Sequence, residues 1–169
     1  KLGHTVRLMA PKFVAPYRMA GKRGKNDAND AQAICEAVAR PTMRFVPVKT
    51  IDQQAELFVH RARQGFIEER TALINRIRGL LSELGIVLPQ KAAAMRHGAH
   101  EVLEELPGWC NTVIGDLLSH LSRLDERIAE YDGHVQRAAK ENECARQLMR
   151  LAGVGPTTAS ALVATVGNG

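Results

Sequence analysis

Apolar residues recur three and four positions apart through two long stretches of this chain. In the second stretch, Ile114, Leu117, Leu121, Leu124, Ile128, Tyr131, Val135 and Ala138 follow alternating steps of three and four. That spacing keeps one face of a helix apolar. It predicts a long helix over about 111–150, loosened at Gly133. In the first stretch, Leu73, Ile77, Leu80 and Leu84 make a similar stripe, continued upstream by Val59, Arg63, Phe66 and Arg70. It predicts a helix over about 51–84, roughly 50 Å long. Thr50 and Gln53 have the spacing of a capping box at its start. Gly85-Ile86-Val87-Leu88-Pro89 breaks it, and a shorter helix over 90–106 stops at Pro107-Gly108. Two long helices and a connector predict an antiparallel helical hairpin. The same seams also suit pairing between two chains.

The first fifty residues carry a different pattern. Thr5-Val6-Arg7-Leu8-Met9-Ala10 is rich in strand formers and closed by Pro11. A lone strand is not stable, so this one calls for partners upstream or on another chain. A helix is predicted from Asp27 to Arg40, ended by Pro41, and Phe45-Val46-Pro47-Val48 reads as an extended link. Strand, loop and helix in that order are the tail of an α/β unit.

Asp27 and Asp30 lie one turn apart at the start of that helix. At 100° per residue they share a side with Ala31, Ile34 and Val38, which turns both carboxylates toward the protein body. A carboxylate facing inward needs a partner. The helix N-terminus favours an anion, Lys22, Arg23 or Lys25 can fold back as counter-ions, and a magnesium ion can bridge the pair. The plainer reading makes Asp27 a first-turn acid and Asp30 a solvated surface group.

Composition adds a lean toward helix and toward a polyanion. The chain has 169 residues, 45% hydrophobic and only 4% aromatic, with a net charge of +5 and a pI near 9.4. Residues 12–26 hold Lys12, Arg18, Lys22, Arg23 and Lys25 with no acid among them. Such a loop suits a phosphate backbone. It is not a P-loop, because Met19 stands where the first glycine belongs and Asn26 where Ser or Thr belongs. Arg61, Arg63, Arg70, Arg76 and Arg78 give the first long helix a basic character. Cys35, Cys110 and Cys144 are odd in number and have no zinc-ligand spacing, which fits a reducing, cytoplasmic setting. No apolar run approaches a membrane span, and no signal peptide is visible. The sequence opens without Met on a strand-like run and stops at a turn signal, as an internal fragment does.

Near the end, Gly153-Val154-Gly155-Pro156-Thr157-Thr158-Ala159 joins two helical stretches, with Pro156 at a first helical position. The pattern resembles a helix-hairpin-helix. Its glycines let backbone N–H groups approach a phosphate without reading bases, with Thr157 beside them. A glycine-rich packing turn is the alternative.

Taken in order, these blocks resemble one family, the insertion-sequence transposases of the "one-ten" type. These are the DEDD transposases, also described as bridge-RNA-guided serine recombinases. The resemblance lies in Lys25-Asn26-Asp27-Ala28-Asn29-Asp30-Ala31, in Arg44-Phe45-Val46-Pro47-Val48-Lys49, in residues 70–81, in Gly85-Ile86-Val87-Leu88-Pro89 and in residues 151–159. It implies a mostly α chain in three parts. Residues 1–45 would end an RNase H/RuvC-like α/β domain, 46–145 would form a coiled-coil helical region, and 146–169 would begin the C-terminal transposase domain. Asp27 and Asp30 would be the third and fourth acids of an Asp-Glu-Asp-Asp set that binds Mg2+. The first two acids would lie upstream and a nucleophilic serine downstream. Thr157, Thr158 and Ser160 do not match that serine. The implied partners are DNA, a structured guide RNA and a second copy through the coiled coil, with no membrane. The implied setting is the bacterial cytoplasm, at the nucleoid. Lys22, Arg23, Lys25, Arg70, Arg76, Arg78, Gly153, Gly155 and Thr157 would touch nucleic acid. Two other readings compete with a recombinase fragment. One is a non-catalytic nucleic-acid-binding module, and the other is a coiled-coil assembly protein with incidental charge.

Overall fold

The computed structural model describes residues 3–18 and 26–166, and the chain divides into two compact units, Lys1–Thr50 and Ile51–Gly169. In the first, strand β1 (Leu8–Met9) leads into the short helix α1 (Pro11–Val14) and a 3-10 turn (Ala15–Tyr17). Helix α2 (Asp27–Val38) and strand β2 (Phe45–Val46) complete it. The strands pair antiparallel, Leu8 opposite Val46 and Met9 opposite Phe45. The expectation of an outside partner for the first strand is thereby corrected, since the stretch read as a link supplies one. The basic loop is corrected too. Pro11 starts a helix, where its fixed φ and missing N–H are harmless, so residues 11–17 are helical. Lys22, Arg23 and Lys25 lie outside the described residues.

Helix α2 is capped by Asn26, whose side chain accepts the Asn29 N–H at 2.8 Å. Its buried residues are Ala33 and Ala37. The sector predicted to face the body is off by part of a turn. Ile34 and Val38 are 48% and 45% exposed, and Asp27 is exposed, while Asp30 borders the buried alanines and is half-buried. Alanine admits close approach of a neighbouring backbone, which a stripe of branched side chains does not.

The second unit is helical. It runs through α3 (Ile51–Glu83), α4 (Ala92–Glu101), a 3-10 turn (Leu103–Glu105), α5 (Gly108–Glu141), α6 (Glu143–Leu148) and α7 (Pro156–Val166). Pairs between α3 and α5 run in opposite directions: Glu56 with His134, Arg63 with Asp132, Phe66 with Tyr131, Arg70 with Asp125 and Glu69 with His120. The hairpin is therefore antiparallel, and its seam closes within one chain. Asp125 also holds Arg96, so one carboxylate ties α3, α4 and α5 together.

The core joins Leu73, Ile74, Ile77 and Leu81 of α3 to Met95 and Ala99 of α4 and to Ile114, Leu118, Leu121 and Leu124 of α5. Leu80 and Leu117 are only partly buried and Leu84 is 47% exposed, so the seam lies one step from the predicted one at this end. The second long helix breaks at Asn142 and not at Gly133, which stays inside α5. Asn142 closes α5 and caps α6 by accepting the Ala145 N–H at 3.0 Å. Asn142→Ala is expected to cost about 1 kcal/mol, read as a lowered urea midpoint.

Helix α7 lies against α3 and α5 through small residues, with Ala159, Ser160 and Ala164 buried. Two polar contacts fix it. Gln53 donates to the Val163 carbonyl at 3.4 Å, and His60 Nε2 lies 3.0 Å from Ser160 Oγ. Burial holds the His60 imidazole below its ordinary value of 6.5; Glu56 opposes this, and Arg63 and His134 add to it. The unfolded chain therefore takes up a proton before the folded one does, and stability falls as pH drops below 6.5 until the folded imidazole also titrates. His60→Gln keeps a polar group toward Ser160 and removes the proton. The variant is expected to lose less stability than the parent between about pH 7.5 and about pH 5.5. Urea midpoints at the two values measure it. Among the described residues, no helix is long and apolar enough to cross a membrane.

Candidate metal and nucleic-acid site

The first unit contains a hollow of about 550 Å³. Leu8, Met9 and Ile34 line it together with Arg7, Lys12, Arg18 and Asp30. The local sequence explains how these meet. β1 delivers Arg7, whose guanidinium stacks 4.7 Å over the Phe45 ring of the paired strand. Pro11 turns the chain into α1, which carries Lys12, and the 3-10 turn brings Arg18 to the start of α2. Arg40, at the far end of α2, stacks 5.3 Å over Tyr17 and pairs with Glu36 at 2.6 Å.

Arg18 Nε sits 2.8 Å from Asp30 Oδ1. Oδ1 is buried and, among the described residues, is held by this ion pair and by no hydrogen bond. Asp30 is thus a half-buried carboxylate whose charge faces Arg18. Asp27 is exposed one turn earlier, with about 5–6 Å expected between the two Cβ atoms. Two carboxylates at that spacing fit part of a hard-cation ligand set. They do not fill one. Among the described residues, no group of three or more His, Cys, Asp or Glu side chains is placed to hold a metal ion.

Arg18 is the feature the sequence reading missed. It belongs to the basic loop, whose later cations Lys22, Arg23 and Lys25 lie nearer Asp30 in sequence. No periodicity links Arg18 to Asp30. The only signal was its place before a helix that opens on two acids.

The remaining predicted contacts lie in the second unit. Arg70 donates to Asp125 at 3.4 Å. Arg78 donates to the carbonyls of Pro89, at 3.0 Å, and Gln90, and so pins the segment after α3. Both arginines already serve the fold. Arg76 is exposed. Between α6 and α7, Gly153 has φ +85°, a left-handed conformation that favours glycine, and Gly155 and Thr157 are exposed beside it.

Comparison with known proteins places this architecture. A family model described as "Transposase", the DEDD type of IS110, matches residues 1–86. The "Probable family 20 transposase" of Pseudomonas aeruginosa is 40% identical over 173 residues, covering 99% of this chain and 50% of that protein. The "Transposase for insertion sequence element IS1328" of Yersinia enterocolitica is 38% identical, covering 100% of this chain and 50% of that protein. The "Transposase for insertion sequence element IS1111A" of Coxiella burnetii is 38% identical, covering 99% and 46%. The chain spans about half the length of the curated relatives it matches. No solved structure matches it. With its first 86 residues under that model, about half of its 169, the chain belongs to the IS110-type DEDD transposase family.

Proposed function

We propose that this chain is part of an insertion-sequence transposase, in which the start of α2 supplies two acids to a magnesium site for DNA strand cleavage and rejoining. The observation that carries this reading is Asp30. Its Oδ1 is buried, faces Arg18 Nε at 2.8 Å and makes no hydrogen bond among the described residues, beside a hollow lined by three cations. A divalent ion, when bound, would draw charge from a scissile phosphate. The chain's own residues do the rest. Asn26 fixes the helix start, Asp27 and Asp30 hold two ligand positions, and Arg7 and Lys12 attract the phosphate backbone.

Family resemblance extends this reading to parts the geometry does not reach. The first unit would end an RNase H/RuvC-like domain completed by an upstream Asp and Glu. The α6–α7 connection would act as a helix-hairpin-helix at the start of the C-terminal transposase domain, whose downstream serine nucleophile would work beside the metal-bound acids. A structured guide RNA would lie along the helical region. Because the hairpin seam closes within the chain, a second copy would dock on an outer face. The protein would work at the nucleoid.

Fluorescence anisotropy of the complete protein with labelled structured RNA and with duplex DNA tests the nucleic-acid part. Binding is expected to weaken steeply between about 50 and 200 mM salt. Arg76→Ala is expected to reduce the salt slope by about one. Binding that ignores salt, or none at all, would sink this reading and favour a coiled-coil assembly protein.

A further inference from the structure

We infer that the hollow of the first unit takes one unpaired nucleotide of the nucleic-acid strand, its phosphate on Arg7 and Lys12 and its base on the apolar floor. The inference rests on the part of the proposed function that sets this unit against nucleic acid, and it needs no metal ion.

Charge decides the ligand class. Among the described residues, the lining sets three cations, Arg7, Lys12 and Arg18, against one acid, Asp30. Arg18 faces that acid at 2.8 Å, which leaves Arg7 and Lys12 as the surplus charge. Both of these lie on aromatic rings. Arg7 Cζ is 4.7 Å from the centre of the Phe45 ring, and Lys12 Nζ is 5.1 Å from that of Phe13. Stacking engages the face of a guanidinium and leaves the N–H donors at its edge unspent. It also restricts the side chain before a ligand arrives, which lowers the ordering cost of binding. Arg7 is therefore a pre-set fork for two oxygens of one phosphate, with Lys12 as a further charge at the same hollow.

Size and floor narrow the class to a nucleotide that has left its stack. At about 550 Å³ the hollow falls within the range of small-ligand sites, about 300–1,000 Å³. Leu8, Met9 and Ile34 supply an apolar floor, with Leu8 43% and Ile34 48% exposed. A duplex presents phosphates but keeps its base faces stacked inside, so it would meet the cations and leave the floor bare. An unpaired nucleotide offers an anion and an apolar base face together. Further protein packed over the floor is the rival occupant. It would bury Arg7 and Lys12 where the lining's acid already faces Arg18, which is costly for a charge.

The test uses the complete protein in a chelator, with a labelled thymidine single strand and a duplex of the same length as probes, followed by fluorescence anisotropy. Arg7→Lys keeps the charge and gives up the stacked fork. It is expected to weaken single-strand binding about two- to five-fold. Ile34→Ser removes part of the floor and is expected to weaken it by a similar factor. Both variants are expected to leave duplex binding nearly unchanged. A 5-iodouracil base in the single strand, irradiated with the parent protein, is expected to crosslink within residues 7–18, a readout that no folding defect can mimic. If Arg7→Lys weakens both probes alike and Ile34→Ser weakens neither, the unit meets only the backbone; the nucleotide is then wrong while the proposed function stands. If Ile34→Ser lowers the thermal midpoint and leaves single-strand binding intact, protein covers the floor and the inference is overturned. If neither variant moves either probe and the crosslinks fall outside residues 7–18, the first unit does not meet the strand, and the nucleotide site and the phosphate role of Arg7 and Lys12 fall together.

Discussion

Replacing Asp30 by Asn in the complete protein is expected to lower metal-dependent strand cleavage by roughly a hundred- to ten-thousand-fold. The substitution removes the charge that pairs with Arg18 and leaves the helix cap and backbone contacts in place. Asn has the volume of Asp, and the backbone N–H of residue 30 still donates to the Asn26 carbonyl at 3.0 Å. The helix cap is a bond between Asn26 and Asn29, which the change does not touch. The fold should therefore survive, and the proposed metal role of Asp30 is what the loss of cleavage would report. Asp27→Asn is expected to act in the same direction. The readouts are cleavage of labelled element-end DNA, with circular dichroism and thermal midpoint as controls. Loss of folding in step with loss of cleavage would place both acids in the structure and not in the chemistry.

The largest stability effect is expected at Leu121. This side chain is fully buried in the core shared by α3, α4 and α5. Leu121→Ala removes contacts that the surrounding helices cannot recover by closing in, and is expected to cost about 2–5 kcal/mol. Leu84→Ala makes the contrast. Leu84 carries the same residue type and was predicted to share a seam, but it is 47% exposed and its loss should cost about 0.5 kcal/mol or less. Urea unfolding followed by circular dichroism ranks the two. Equal costs would mean that the seam runs through Leu84 after all.

That contrast shows where periodicity is a good guide and where it fails. The two long helices were legible because their apolar steps of three and four persist for many turns, and ends such as Ile51 and Glu83 fell within a residue of the predicted limits. The exact face was less legible. A helix turns every 3.6 residues, so a stripe read at 3.5 drifts around the axis. At the end where α4 inserts Met95 and Ala99, the buried set includes Ile74 and Leu81. Gly133 looked like the weak point of α5, yet a packed helix tolerates one glycine. Asn142 ended it instead, because its side chain offers the next helix a cap.

The site divided along similar lines. Asp27 and Asp30 were visible as a spaced pair, and their helix formed where expected. Their surroundings were not visible. Arg18 meets Asp30 through a turn of chain whose path no periodicity encodes, and the β1–β2 pairing joins residues nearly forty positions apart. Arg70 and Arg78 stand out in the sequence as candidate nucleic-acid contacts, and no pattern in it shows that Asp125 and the carbonyls of Pro89 and Gln90 also bond them.

If Asp30 touches a divalent cation, a change of donor at that position changes which metal supports cleavage. Asp30→Cys replaces a hard oxygen donor with a soft thiolate, which binds Mg2+ poorly and Cd2+ or Zn2+ well. Cleavage by the complete Asp30→Cys protein is expected to be lost in Mg2+ and partly restored when a trace of Cd2+ is added, while the parent gains nothing from Cd2+. The same rate in Mg2+ as the parent, or the same residual rate with and without Cd2+, would contradict a metal at Asp30.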